Sequence, residues 1–358
     1  MVNLFDELGG RYDRRLGIRI REVIWEVQTM KKRPLGSTGE HLTVVGLGTW
    51  SIAGGGWAYG WGKTDESVAM ATIHRALDAG INWIDTAPVY GLGRAEVLVG
   101  KVLKERRGEK VFIATKCGLT WNRKRKIRPN LSRESIRSEC HASLQRLGVE
   151  VIDLYQIHWP IPEDRIEEAW STLVELQAEG KVRYVGVCNF SVKQLKRIQG
   201  EGPVASLQAE YSLIARQPEW SVFEYCRKTK MGFLAYSPLG SGLLTGRMTV
   251  DRIRRLPPDD WRRRHPRFCP EFLEQFQAFM NDFTAVARSM GLTPAQLAIA
   301  WVLRYEGVTS AIVGARRPEQ VEESFRAGEM MWTDELEGMV EAVIEKHASM
   351  LRSVPAFG

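Results

Sequence analysis

Eight short apolar runs, separated by longer amphipathic stretches, constrain this chain more than any other feature. The runs are 43–48, 81–85, 111–115, 151–157, 182–187, 204–209, 232–236 and 309–313, all rich in Val, Ile, Leu and aromatic residues. Runs of that length read as buried strands, and their regular alternation with helix-length segments is the pattern of repeated βα units around a parallel sheet. Helix signals support the alternation independently. Ser191–Gln194 and Thr293–Gln296 have the form of capping boxes, the second with Pro294 at the first helical position. Gly80, Gly148 and Gly180 follow the apolar periods of three helices, where a left-handed residue ends a helix. Eight such units predict an α/β fold of the (β/α)8 TIM-barrel type, and 358 residues with 44% hydrophobic content suffice for it as a single domain.

Two segments depart from the pattern. The stretch 245–270 holds Pro257, Pro258, Pro266 and Pro270 and seven arginines from Arg252 to Arg267, too long for an ordinary βα loop. It is expected to be a lid after the seventh strand, over the active-site face. Helices at 271–290 and 333–347 lie outside the eight units and are expected as appendages. Residues 30–348 then form the barrel, and 349–358 a C-terminal tail. Residues 1–29 mix Arg11, Arg14 and Arg15 with Asp6, Glu7 and Asp13, which argues against a transit peptide, and they read as an extraneous N-terminal extension.

Fifty Lys and Arg against 43 Asp and Glu give a formal charge of +7, a mild excess that favours anionic ligands and does not point to nucleic acid. The cysteines (117, 140, 188, 226 and 269) are odd in number and lack metal-site spacing, so they read as reduced thiols in a cytoplasmic protein without a metal. No apolar stretch reaches the roughly 18 residues of a membrane span.

Catalytic residues of such a barrel sit at the carboxyl ends of its strands. Asp85 and Tyr90 lie there in Trp83-Ile-Asp-Thr-Ala-Pro-Val-Tyr-Gly91, Lys116 ends Val111–Lys116, and His158 ends Val151–His158. A phenol with an ordinary pKa of about 10 becomes easier to deprotonate beside an ammonium. Lys116 is expected to supply that charge to Tyr90, Asp85 to hold Lys116, and His158 to orient a carbonyl oxygen. The set suits protonation of that oxygen while hydride reaches its carbon.

These segments, Asp85-Thr-Ala-x-x-Tyr90-Gly91, Thr115-Lys116 and Asp153-Leu-Tyr-x-Ile-His158-Trp-Pro160, resemble the catalytic segments of the aldo-keto reductase family, whose tetrad is Asp, Tyr, Lys and His. The resemblance runs from Arg33 to Gln320. It implies NADPH, in preference to NADH, as cofactor and a small carbonyl compound as substrate. Gly48, Thr49 and Trp50 are then implied beneath the nicotinamide, Asn189 and Gln208 at its carboxamide, and Tyr236 stacked on its ring. Cys188 stands where the family has Ser. Ser237, Pro238, Leu239, Gly242 and Leu243 form a glycine-bearing loop suited to a pyrophosphate. By the same resemblance Gly314, Ala315 and Arg316 meet the adenosine 2′-phosphate, and Gln320 and Glu323 the adenosine. A Rossmann site is not indicated: Gly46-Leu-Gly48 lacks a third glycine, with Ser51 in its place.

Trp50, Trp57, Trp61, Trp121 and Trp159 all fall in loops on the predicted active face, and suggest an apolar substrate pocket, with Trp57, Trp121 and Trp159 as its walls. Arg123–Lys126 and Arg128 lie on the same side and are expected to steer an anionic cofactor or substrate. A reading of another class is a cofactor-sensing regulatory subunit, like the potassium-channel β-subunits that share this fold, binding NADPH with slow turnover.

Overall fold

The computed structural model describes residues 12–13, 18–19 and 30–356; the expected extension over 1–29 lies almost wholly outside the described residues. Eight strands, β1 Val45–Gly48, β2 Trp83–Asp85, β3 Phe112–Cys117, β4 Ile152–Ile157, β5 Val182–Cys188, β6 Ser206–Glu210, β7 Gly232–Tyr236 and β8 Ser310–Gly314, pair in parallel with their sequence neighbours, and β8 closes on β1. The molecule is a (β/α)8 TIM barrel. Each predicted run contains or overlaps one strand, displaced by a few residues at most. Helices α1 Glu66–Asp78, α2 Arg94–Glu105, α3 Arg133–Leu147, α4 Ile166–Ala178, α5 Val192–Ile198 and α6 Pro218–Thr229 follow the first six strands. After β7 come α7 Val250–Arg254, α8 Pro270–Ser289 and α9 Pro294–Leu303; α10 Pro318–Phe325, α11 Asp334–Lys346 and α12 Ala348–Arg352 follow β8.

Helix ends form as their residues dictate. Ser191 and Thr293 make reciprocal capping boxes with Gln194 and Gln296. Gly148 closes α3 at φ 67°, and Gly80 and Gly180 take left-handed conformations one residue beyond the caps of α1 and α4. Among the described residues, no helix is long and apolar enough to cross a membrane.

The run 43–48 divides. His41–Thr43 pairs antiparallel with Lys32–Pro34 as a separate hairpin, and only Val45–Gly48 enters the barrel. The hairpin carries Leu35 and Leu42, both fully buried, into one cluster with the barrel-interior residues Trp83, Phe112, Leu154 and Leu234. Lys32–Pro34 is largely exposed, which hides it from a search for apolar runs.

Gly46 is explained by this interior. A Cβ there would stand 2.1 Å from Cε2 of Trp83. That indole is wholly buried, its Nε1 donating to Thr43 O at 3.2 Å and Ser310 Oγ at 3.1 Å, so it has no room to move. Gly46→Ala is therefore expected to destabilise the fold by at least ~3 kcal/mol in guanidinium denaturation. A midpoint equal to wild type would show the barrel interior to be more compliant than this packing implies.

Candidate active site

The carboxyl ends of β2, β3 and β4, with the loop after β2, bring Asp85, Lys116, His158 and Tyr90 together. Lys116 Nζ donates to Asp85 Oδ1 at 2.8 Å and Oδ2 at 2.7 Å, to Thr86 O at 3.0 Å and to Tyr90 Oη at 3.4 Å. The Tyr90 and His158 rings meet edge to face, centroids 5.8 Å apart. Asp85 is held in turn: Gln208 Nε2 donates to its Oδ1 at 2.8 Å, and Thr49 N and Oγ1 both donate to its main-chain oxygen at 3.0 Å.

Burial sets the protonation states. It pulls the Lys116 ammonium down, but the groups around it, the Asp85 carboxylate foremost, outweigh it and the net direction is upward, so Lys116 stays charged. Burial, reinforced by the Lys116 charge, holds His158 well below the ordinary imidazole range and neutral. At Tyr90 burial is the largest influence and pushes the phenol up to about 12, while Lys116 acts in the expected direction and lowers it. The tyrosine is thus a protonated acid throughout the neutral range.

The tetrad opens into a cavity of about 700 Å³. Its lining includes Gly48, Trp50, Asn189, Gln208, Tyr236, Ser237, Pro238, Leu239, Gly242, Gly314, Arg316, Gln320 and Glu323. Thr49, Leu243 and Ala315 are buried and do not line it. Two amides are already engaged within the protein. Asn189 donates to His158 O at 3.0 Å and accepts from Tyr236 Oη at 2.9 Å, while Gln208 turns its nitrogen to Asp85. Cys188 is buried beside Gln156 Oε1 at 3.7 Å, and burial raises its thiol pKa, so it is a packed thiol here.

Trp50, Trp57, Trp61 and Trp159 line the cavity. Trp121 does not, which corrects the expected pocket. It stands on the hairpin Leu119–Trp121/Ile127–Pro129 two residues beyond Leu119, next to the turn, whereas Leu119, Ile127 and Pro129 do line the cavity. Arg123–Lys126 form that exposed turn and are likewise absent from the lining.

The stretch 245–270 lies across the cavity as a strap. Trp261 N donates to Gly60 O at 2.9 Å, Arg264 to Ala58 O at 3.1 Å, and Gly56 N to Asp259 Oδ2 at 2.9 Å. Inside it, buried Asp260 and Arg262 form a forked pair, and the Arg262 guanidinium lies 4.2 Å from the Trp61 ring centroid. Arg267 pairs with Glu210 and donates Nε to Pro355 O at 2.5 Å, tying strap to C-terminal tail. Met248, Arg252, Leu256 and Arg262 from this stretch line the cavity, and sequence reasoning had not assigned any of them a site role. The periodicity of a proline-rich loop carries no signal for which side chains turn inward.

At the strap end the cavity is strongly cationic. Burial lowers the Arg316 pKa, and Arg262, Arg317 and Arg252 lower it further against the opposing Asp260. Arg316 itself donates to Trp61 O at 2.7 Å, Lys63 O at 3.2 Å and Thr64 Oγ1 at 3.3 Å. Ser241 Oγ and Trp61 Nε1, both on cavity-lining residues, are buried without a hydrogen-bond partner among the described residues. Clustered guanidiniums beside unmet donors and lining glycines fit an extended anion.

The Aldo/keto reductase family profile matches residues 44–345. The chain is 38% identical over 295 residues to aldo-keto reductase YhdN of Bacillus subtilis, covering 82% of this chain and 87% of that protein. It is 39% identical over 310 residues to the NADH-specific methylglyoxal reductase of Escherichia coli, covering 83% and 93%. Among solved structures, the glycerol dehydrogenase AKR11B4 of Gluconobacter oxydans superposes with a TM-score of 0.79 at 38% identity, over 90% of this chain and 97% of that one. With this barrel, this constellation and these relatives, the chain belongs to the aldo/keto reductase family.

Proposed function

We propose that the protein reduces an aldehyde or ketone to the alcohol with NADPH, reversibly, and that Tyr90 is the proton donor. The observation that carries this reading is a protonated phenol and a neutral imidazole at the cavity floor, backed by a buried ammonium 3.4 Å from the phenolic oxygen. A reduced nicotinamide bound in the cavity supplies hydride to the carbonyl carbon. As charge develops on the carbonyl oxygen, Tyr90 delivers its proton there and His158 orients the same oxygen by hydrogen bonding. The phenolate left behind faces Lys116, whose charge Asp85 fixes in place. A phenol that stays protonated favours reduction over oxidation near neutral pH, so alcohol oxidation is expected to rise with pH. The methylglyoxal reductase and glycerol dehydrogenase relatives are named for carbonyl–alcohol chemistry, which supports the class.

The residues that would hold the nicotinamide end are Gly48, Trp50, Asn189, Gln208 and Tyr236. Ser237–Leu239 and Gly242 would meet the pyrophosphate, and Gly314, Arg316, Gln320 and Glu323 the adenosine. One relative is NADH-specific, so the cofactor preference needs its own argument. Four guanidiniums that repel one another are relieved by a 2′-phosphate, which NADH lacks. Arg316 is occupied by the 61–64 loop, whereas Arg252 and Arg317 line the cavity with no side-chain partner among the described residues. These two are therefore assigned the phosphate contact.

The decisive assay is NADPH oxidation with a panel of aldehydes. Tyr90→Phe should lower kcat at least ~100-fold while leaving NADPH affinity within about twofold. Wild-type protein that retains NADPH tightly and turns over no carbonyl would instead favour a cofactor-sensing subunit. Replacing Arg252 and Arg317 together by Ala should raise KM for NADPH roughly tenfold or more and leave KM for NADH nearly unchanged. Equal effects on both cofactors would remove the 2′-phosphate assignment.

A further inference from the structure

Glu139 lies in the middle of α3, where its Oε2 accepts the Gly118 N–H at 3.1 Å and its Oε1 accepts Ser135 Oγ at 2.9 Å. Gly118 follows Lys116 by two residues. The carbonyl of the Cys117–Gly118 peptide accepts the His158 N–H at 2.9 Å. One peptide group therefore joins the Glu139 carboxylate to the backbone of His158, and hydrogen bonds in such a chain polarise one another. Gly118 also starts the hairpin whose Leu119, Ile127 and Pro129 line the cavity. Its φ of +92°, and the 2.7 Å that would separate an added Cβ from Leu131 Cδ2, leave this turn little freedom.

We propose that Glu139 is a positioning residue for this active site, its charge fixing the peptide that holds His158 and the hairpin wall of the substrate pocket. The inference rests on the role given to His158 above. Among the described residues, no ion pair forms at Glu139, so the negative charge is directed at the amide.

Glu139 also titrates where activity is measured: burial raises its carboxyl to about 7, against the opposing hydrogen bonds from Ser135 and Gly118 and the charge of Arg146, with Glu96 adding to the rise. The other titratable groups around it are Cys117 on β3, Cys140 on α3 and Tyr155 on β4. Burial holds all three above their ordinary values, so they stay neutral. His158 is already neutral. Protonation of Glu139 as pH falls through about 7 replaces a charge-assisted bond with a weaker one.

The test combines kcat/KM for an aldehyde between pH 5.5 and 9 with the Gly118 amide shift in 1H–15N TROSY spectra. Wild type should lose roughly fivefold in kcat/KM below a midpoint near 7, and the Gly118 amide should move with the same midpoint. Glu139→Gln keeps an oxygen acceptor for the amide. It should flatten both curves at the low-pH wild-type level with NADPH affinity unchanged. Ser135→Ala removes a bond that favours the carboxylate and should move both midpoints to higher pH. A Gly118 amide that does not titrate, or a Glu139→Gln enzyme with the wild-type rate and profile, would overturn the proposal. Wild type inactive on every carbonyl would overturn the proposed function and the catalytic part of this inference with it, while the Gly118 titration would still decide the contact.

Discussion

The buried pair between Lys116 and Asp85 governs the site. Both side chains are almost wholly inaccessible, so each charge depends on the other and on the dipoles around them. Removing one partner of such a pair costs about 3–5 kcal/mol, because the remaining charge stays in a low dielectric. The surroundings meet part of that requirement: Gln208 on β6 donates to Asp85 Oδ1, Thr86 O after β2 accepts from Lys116, and Thr49 after β1 fixes the Asp85 main chain. Barrel closure is what brings these strand ends within hydrogen-bonding distance. Tyr90 is then left against a fixed ammonium and is kept protonated by burial.

The cavity above the pair has a chemically mixed lining. Tryptophans such as Trp50 and Trp159 and aliphatic side chains line it together with the guanidiniums of Arg252, Arg262, Arg316 and Arg317, and Arg262 lies over the Trp61 ring. The strap is attached to residues 56–60, and side chains from both segments line the cleft.

Most of the barrel was legible because a parallel sheet covered on both faces needs continuous apolar runs, and eight of them stand out. The polar residues that end β2, β3 and β4 were legible for the same reason, as exceptions at the edge of such runs. What escaped depends on three-dimensional packing. The Lys32–Pro34 strand is exposed and only three residues long. Burial outweighs the pull of Lys116 on Tyr90, and the extent of burial is set by the folded cavity. Trp121 follows the pocket pattern in sequence, yet its hairpin neighbours Leu119, Ile127 and Pro129 line the cavity and it does not. The orientation of Gln208 towards Asp85 and the contact of Glu139 with Gly118 join residues 123 and 21 apart in sequence, and no local pattern marks either.

The dependence of proton transfer on the buried ammonium is tested most directly by single-turnover hydride transfer in Lys116→Met, measured with NADPH already bound and a saturating aldehyde. The account predicts normal cofactor binding and a hydride-transfer rate at least ~100-fold below wild type, since the phenolate formed at Tyr90 would have no ammonium beside it and the Asp85 carboxylate would oppose it. A rate within a few-fold of wild type would contradict it.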